Sequence, residues 1–492
     1  MKLRDLCRDI CTLDGGGIDA EVSDMTADSR AVKAGMMFAA LPGFTVDGAK
    51  FVPDAVAKGA VAILAADDAV LTVPAKFPVL RSPDPRRALA LMAARLYAPQ
   101  PATIVAVTGT NGKTSIVSFL RQIWTGLGHQ AASLGTVGLV TPKGEQTSSH
   151  TTPEPVALHR MLAQVAREGV THLAVEASSH GLEQRRLDGL VLAAGAFTNI
   201  TRDHLDHHKT FEDYFQQKLR LFSELLPHGA AAVVNMDDEN GARVAWTARR
   251  GATGASDYGL RLMTVGRSGE SIRLVSAKRD GFSQRLVVRC EGRDYHVHLP
   301  LVGDFQASNA LVAAGLAMAT GGKPADVFAQ LAHLKGAKGR LEHVGQSHQG
   351  APIFIDYAHT PDGLANALAA LRPYADKRLV VVFGCGGDRD KGKRPLMGKV
   401  AAEQADVVCV TDDNPRTEDA AQIRSEILAG VPGATEIGDR QAAISAAVAG
   451  LGAGDVLLIA GKGHESGQIV GKTVIPFTDH EAVVKALRED VS

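Results

Sequence analysis

Apolar residues in this chain come in short runs separated by glycine, proline and asparagine, and the runs are of two kinds. Stretches such as Thr103-Ile104-Val105-Ala106-Val107-Thr108 are apolar and β-branched without alternation, as expected of strands covered on both faces. Segments such as 114–126 have helical spacing of apolar positions and predict amphipathic helices. Val61–Ala65, His172–Glu176 and Ala230–Val234 read as further strands. So do Ile353–Asp356, Leu379–Gly384, Asp406–Thr411 and Asp455–Ala460, with alanine-rich helical stretches between them. Residues from about 253 to 300 alternate, which predicts antiparallel strands in an insertion or edge sheet. The repeated order of strand, helix and strand predicts an α/β protein with doubly wound, mostly parallel sheets.

At 492 residues the chain is too long for one hydrophobic core. We expect three domains, 1–99, 100–335 and 336–492, with Pro99-Gln100-Pro101 as the first linker. The net charge of −1 argues against a broad nucleic-acid footprint but leaves room for a local basic pocket. The five cysteines, Cys7, Cys11, Cys290, Cys385 and Cys409, lack paired metal-ligand spacing and read as reduced thiols. Arg4, Asp5, Arg8 and Asp9 interrupt the N-terminus, and no apolar stretch is long enough for a membrane span. A cytoplasmic monomer is expected.

The strongest chemical signal is Gly109-Thr110-Asn111-Gly112-Lys113-Thr114-Ser115, between a buried strand and a helix. Glycines let backbone N–H groups approach phosphate oxygens, and the helix N-terminus adds partial positive charge. Lys113 can reach the terminal phosphates and the Thr114 hydroxyl can ligate Mg²⁺. Val107 stands where the strict phosphate-loop pattern has glycine, so the loop is a variant. Glu176, ending a strand, is the candidate acidic partner for the metal. Ser178 and His180 follow at the same strand end. His204, His207 and His208 crowd the stretch after Thr198-Asn199-Ile200-Thr201-Arg202-Asp203, which suggests a metal or proton-transfer site with His204 the foremost candidate. Periodicity alone makes Lys218 a solvated charge on an amphipathic helix.

Taken together, the 109–114 loop, Glu176–His180, Thr198–His204 and the Lys218 helix resemble the Mur ligase family. Gly303-Asp304-Phe305-Gln306-Ala307-Ser308-Asn309-Ala310, Gly339-Arg340-Leu341-Glu342 and Asp356-Tyr357-Ala358-His359-Thr360-Pro361 extend the resemblance over essentially the whole chain, in family order. It implies a UDP-sugar domain, a central ATPase domain and a C-terminal Rossmann-like domain that brings the amino acid. It implies that ATP converts a substrate carboxylate into an acyl phosphate, which an amine then attacks. By resemblance Thr114, Glu176, His204 and Lys218, the last as a carbamate, would hold Mg²⁺, and Asn309, Arg340 and Asp356 would contact ATP. Ala27, Ser29, Phe44, Thr45, Val46, Thr151, Thr152, Ser178, Gln184 and Arg186 would contact a UDP-muramoyl dipeptide.

Asp413-Asn414-Pro415-Arg416 resembles the string by which one branch of the family recognises meso-diaminopimelate; read by itself it is an Asn-Pro turn. Diaminopimelate differs from lysine by one carboxylate, which Arg416 and Arg389 could clamp, while Glu465 could take the far ammonium beside Gly461. Two charge-assisted hydrogen bonds at roughly 1.5–3 kcal/mol each give about 10²–10⁴ in discrimination. A sister ligase for lysine, a folate-type ligase and a nucleotide-gated binding protein or motor are the alternatives.

Overall fold

A computed structural model of the chain describes residues 1–43, 46–148, 150–201, 207–250 and 259–489. Two compact units divide it: Met1–Leu274 with Arg289–Arg293 and Asn309–Gln330, and Val275–Val288 with Asp294–Ser308 and Leu331–Ser492.

The first unit opens with a five-stranded sheet in the order Thr12–Asp14, Val79–Ser82, Ala62–Ala66, Met36–Ala39, Asp24–Thr26, parallel except for its first pair. Its central sheet places the strand Thr103–Thr108 between His172–Glu176 and Leu192–Phe197, parallel to both. Ile104, Val105 and Val107 are fully buried, each contributing about 1.5–3 kcal/mol through removal from water. The register sets Glu176 beside Val107 and Phe197 beside Thr108. Three strands therefore end at one edge, where parallel sheets carry their ligand-binding loops. The helix Lys113–Gly126 follows and buries Ile116, Phe119, Leu120, Ile123 and Trp124.

One expectation changes here. Arg261–Gly266 runs parallel to Ala231–Asn235, not antiparallel, because the helix Gly241–Arg250 supplies a crossover between them. The strands Ile272–Asp280, Ser283–Cys290 and Arg293–Leu299 follow, and the division between the units falls within them. Residues 253–258 of that stretch lie outside the described residues. The proposed linker is tied down: the Gln100 side chain donates to the Gly189 carbonyl at 2.7 Å and accepts from the Val191 N–H at 3.2 Å. Arg185 bridges Asp84 and Glu224, each at 2.8 Å, within the same unit.

The second unit holds a six-stranded sheet in the order Glu342–Gln346, Pro352–Asp356, Val456–Ala460, Leu379–Phe383, Val407–Val410, Thr435–Glu436. Only the first pair is antiparallel. Phe354, Leu379, Val381, Phe383 and Leu458 form its core. Asp356, Phe383, Val410 and Ala460 end at a common edge, which places the loops 357–361, 384–392, 411–416 and 461–465 there. The central strands match those read from sequence to within a residue or two at each end.

Candidate active site

The phosphate loop closes on itself through the strand ends beside it. Thr110 N–H donates to the Asn199 carbonyl at 2.8 Å, Asn111 N–H to Asn199 Oδ1 at 3.0 Å, and Thr198 Oγ1 to the Asn111 carbonyl at 2.6 Å. Gly112 caps the helix with φ 86°, and a Cβ there would collide with Asn309 Oδ1. Glycine is thus required both by the left-handed backbone and by the approach of Asn309. Lys113 curls back, its Nζ donating to the carbonyls of Gly109 at 2.9 Å and Thr110 at 2.8 Å. Thr114 and Ser115 are buried in the first turn.

Lys218 departs from its reading as a solvated charge. Its side chain is only 1% exposed, and its Nζ donates to the Gly109 carbonyl at 2.8 Å and lies 4.4 Å from the centre of the Tyr214 ring. Tyr214 OH in turn meets Thr110 Oγ1 at 3.0 Å. Thr210 starts this helix, its hydroxyl accepting from Asp213 N–H at 3.0 Å. The helix therefore points a lysine at the loop expected to hold phosphate.

Glu176 is buried at the same edge, its carboxylate accepting from Thr136 N–H at 2.8 Å and Thr136 Oγ1 at 3.1 Å; that hydroxyl also meets Thr151 Oγ1 at 3.1 Å. Thr152 Oγ1 donates to the Glu176 carbonyl at 2.8 Å and lies 3.0 Å from Ser178 Oγ. Arg186 joins the group: Nη1 donates to the Thr152 carbonyl at 2.7 Å, Nη2 to Gln184 Oε1 at 2.7 Å, and a salt bridge runs to Glu154 at 2.5 Å. Burial lowers the Arg186 pKa, although Glu154 opposes the shift. Thr151, Thr152, Ser178, Gln184 and Arg186, far apart in sequence, are thus one cluster. Ala27 and Ser29 lie on the loop after Asp24–Thr26, where Asp28 accepts Arg30 Nε and Nη2 at 2.9 Å each, and Val46 is 47% exposed. Phe44, Thr45 and His204 lie outside the described residues.

In the second unit, Asp356 accepts from Leu341 N–H at 2.5 Å and Ala358 N–H at 2.7 Å, and the Arg340 guanidinium sits 4.8 Å from the Tyr357 ring centre. Burial raises the Asp356 pKa against the pull of Arg340. The Asp413–Arg416 loop packs on the Gly384–Gly387 turn. Arg416 has φ 51° and its Nη1 donates to the Gly387 carbonyl at 2.8 Å; a Cβ on Gly386 would lie 2.7 Å from that nitrogen. Asn414 Nδ2 donates to Glu465 Oε2 at 2.8 Å, joining two strings that are 51 residues apart. Burial raises the Asp413 pKa, opposed by Arg440 and Lys462. Gly461 has φ 111°, beside Asp413. Pro415 is buried, whereas Arg389 is exposed and donates from Nη1 to the Asp388 carbonyl at 3.3 Å, so no hydrogen bond gathers it to Arg416.

Sequence reasoning missed two residues here. Lys462, with 0% side-chain exposure, donates to Glu465 Oε2 at 3.0 Å, Asn414 Oδ1 at 3.2 Å and the Gly467 carbonyl at 2.7 Å. Arg394 is equally buried and grips Glu418 at 2.9 and 3.0 Å, while Glu418 accepts from Asp388 N–H at 2.6 Å. Lysines and arginines beside glycine or proline carry no periodic signal of burial, though the 461–465 string drew notice for Glu465. A cavity of about 540 Å³, lined by Gln216, Leu219, Arg243 and Trp246 among others, holds none of the residues expected in the site.

Comparison with known proteins agrees with this geometry. Family profiles described as Mur ligase family, catalytic domain, Mur ligase middle domain and Mur ligase, glutamate ligase domain match residues 21–97, 107–317 and 339–463. A UDP-N-acetylmuramoyl-L-alanyl-D-glutamate–2,6-diaminopimelate ligase of Bradyrhizobium diazoefficiens is 57% identical, covering 100% of both chains. The enzyme of that name from Mesorhizobium japonicum is 53% identical over 99% of each. A solved structure with the same enzyme name superposes with a TM-score of 0.72 at 31% identity, covering 100% of this chain and 99% of the other. This chain belongs to the Mur ligase family.

Proposed function

We infer that this protein is an ATP-dependent ligase that joins meso-diaminopimelate to the D-glutamyl carboxylate of UDP-N-acetylmuramoyl-L-alanyl-D-glutamate, a step of peptidoglycan synthesis. The observation that carries the reading is full-length similarity at 57% identity to a ligase of that name. The Asp413–Arg416 loop, held by Gly387 and Glu465, adds physical support. The three-domain division at 99 and 335 is retained as a proposal, supported by family matches that fall inside its segments.

A carboxylate resists attack by an amine, and phosphorylation supplies a leaving group. Lys113 and the loop N–H groups would bind the crowded phosphates of ATP, with Asn309, Arg340 and Asp356 as further nucleotide contacts. The Thr151, Thr152, Ser178, Gln184 and Arg186 cluster would orient the dipeptide. Arg416 would take the distal carboxylate of diaminopimelate, with Arg389 drawn in on binding and Glu465 facing an ammonium.

The donor set fits Mg²⁺: a buried carboxylate at Glu176 and a hydroxyl at Thr114 flank the loop. Bound there, the ion would neutralise phosphate charge. An ammonium at Lys218 can only donate, so that residue would join the set as a carbamate, whose oxygens accept; His204 completes it. Among the described residues no helix is long and apolar enough to cross a membrane, in keeping with a cytoplasmic enzyme, which we take to be monomeric.

Purified protein, given ATP, the UDP-muramoyl dipeptide and either meso-diaminopimelate or lysine, is expected to form the tripeptide nucleotide with diaminopimelate alone. Mass spectrometry of the product decides. A lysine product formed as readily would reject the assignment.

A further inference from the structure

The histidine-rich stretch singled out in the sequence is only partly absorbed by this function. Of its three histidines, His204 was assigned to the nucleotide site, which leaves His207 and His208. Both come together with His180, from the helix Ser179–Glu183, so that the nearest ligand nitrogens of the three rings all lie within 4.8 Å of one another. The ring centres of His180 and His207 are 3.8 Å apart, and those of His207 and His208 are 4.9 Å apart at right angles.

Glu183 orients the group: His207 Nε2 donates to Glu183 Oε2 at 2.6 Å. That bond sets the proton on Nε2, so a metal ion would bind His207 through Nδ1. A carboxylate behind an imidazole is the usual support of a metal-bound histidine, and it raises the basicity of the ligand. His208 is buried while His180 and His207 are half-buried, so one side is solvent-facing and can admit an ion and a water.

We propose that His180, His207 and His208, with Glu183 behind His207, bind a divalent transition-metal ion of the zinc class. Three imidazoles suit Zn²⁺, Co²⁺, Ni²⁺ or Cu²⁺, whereas Mg²⁺ requires oxygen ligands. Bonds of about 2.0–2.1 Å to one ion would draw the three nitrogens closer together than the 4.8 Å that bounds them here. The site shares no residue with the Thr114, Glu176, His204 and Lys218 set, and it does not depend on which amino acid the enzyme adds. The bound ion clamps the turn before Thr210, and so the start of the Lys218 helix, to the helix that Ser178 caps.

The full-length protein, stripped with a chelator and kept in millimolar Mg²⁺, is titrated with Co²⁺ and then Zn²⁺. We expect one equivalent of Co²⁺ to give a visible ligand-field band without thiolate charge transfer, and Zn²⁺ to displace it. His207→Gln should abolish the band, and Glu183→Gln should weaken binding about 10–100-fold. Both changes lie on partly exposed side chains, and an unaltered melting temperature of the metal-free variants confirms folding. No band in the parent, a thiolate band, or a band that survives unchanged in both variants overturns the proposal.

Discussion

Two lysines, one in each unit, are both removed from solvent, yet their surroundings differ. Lys462 stands among acids, with Glu465 at 3.0 Å and Asp413 at 3.9 Å, and a side-chain amide and a carbonyl complete its shell. Lys218 sits against the Gly109 carbonyl and the face of Tyr214. Lys462 is locally balanced and holds two loops together. Lys218 faces the loop expected to hold phosphate, where a change in its own chemistry would be felt. Burial alone does not separate a structural lysine from a reactive one; the charge and acceptor character of what surrounds it does.

The sharpest way to break this comparison is at Lys218. Lys218→Ala should lower kcat by on the order of 10³-fold, with partial recovery on adding a small carboxylate. An alanine variant as active as the parent would remove Lys218 from the chemistry. Next in size is Arg416→Ala, which should reduce kcat/KM for meso-diaminopimelate by roughly 10²-fold, the worth of one to two charge-assisted hydrogen bonds. ATP and UDP-dipeptide affinities should hold. A uniform loss across all three substrates would mean that Arg416 shapes the fold of its loop and does not read a carboxylate.

The same pair shows how far the sequence was legible. Strands such as Thr103–Thr108 and Leu379–Phe383 announced themselves because a parallel sheet covered by helices needs unbroken apolar runs. The phosphate loop was readable because glycine, lysine and threonine at that spacing have few other uses. Lys218 was not: on an amphipathic helix its position predicts solvent, and only resemblance to a family marked it. Lys462 and Arg394 carried no mark at all, since the partners that bury them come from distant loops. The direction of Arg261–Gly266 was misread because alternation reports a half-buried strand and not its orientation.

The third test separates the two lysines by stability. Lys462→Met should cost about 3 kcal/mol, because it leaves Glu465 and Asp413 without their buried partner. Lys218→Met should cost less, about 1 kcal/mol, for its hydrogen bond to the Gly109 carbonyl. Urea midpoints decide, and equal losses would erase the distinction.

The smallest effect contrasts the units by pH. In the first unit, burial holds His159 and His172 down to about 4, so both are neutral in the folded protein near neutrality. The unfolded chain takes up those protons near pH 6.5, and the folded protein only near 4. Stability of this unit therefore falls as pH drops below about 6.5, by on the order of 1 kcal/mol at pH 5.5, with solvent screening trimming the share of the less enclosed His172. In the second unit the hydrogen bonds from Arg394 and Arg378 hold Glu418 and Asp455 down to about 2. Their contribution is complete above the ordinary carboxyl range and is lost only as pH falls from there toward 2. Both tryptophans, Trp124 and Trp246, lie in the first unit, and Trp124 packs edge-on to His172 with ring centres 5.0 Å apart. Tryptophan emission thus follows the first unit, and hydrogen exchange in Leu379–Phe383 and Val456–Ala460 follows the second. Between pH 7 and 5.5 the emission-detected urea midpoint should fall more than the protection of those strands, although burial also lowers the His343 pKa in the second unit. A midpoint that does not move would show that the two histidines are not held neutral, and the contrast between the units would then rest on their lysines alone.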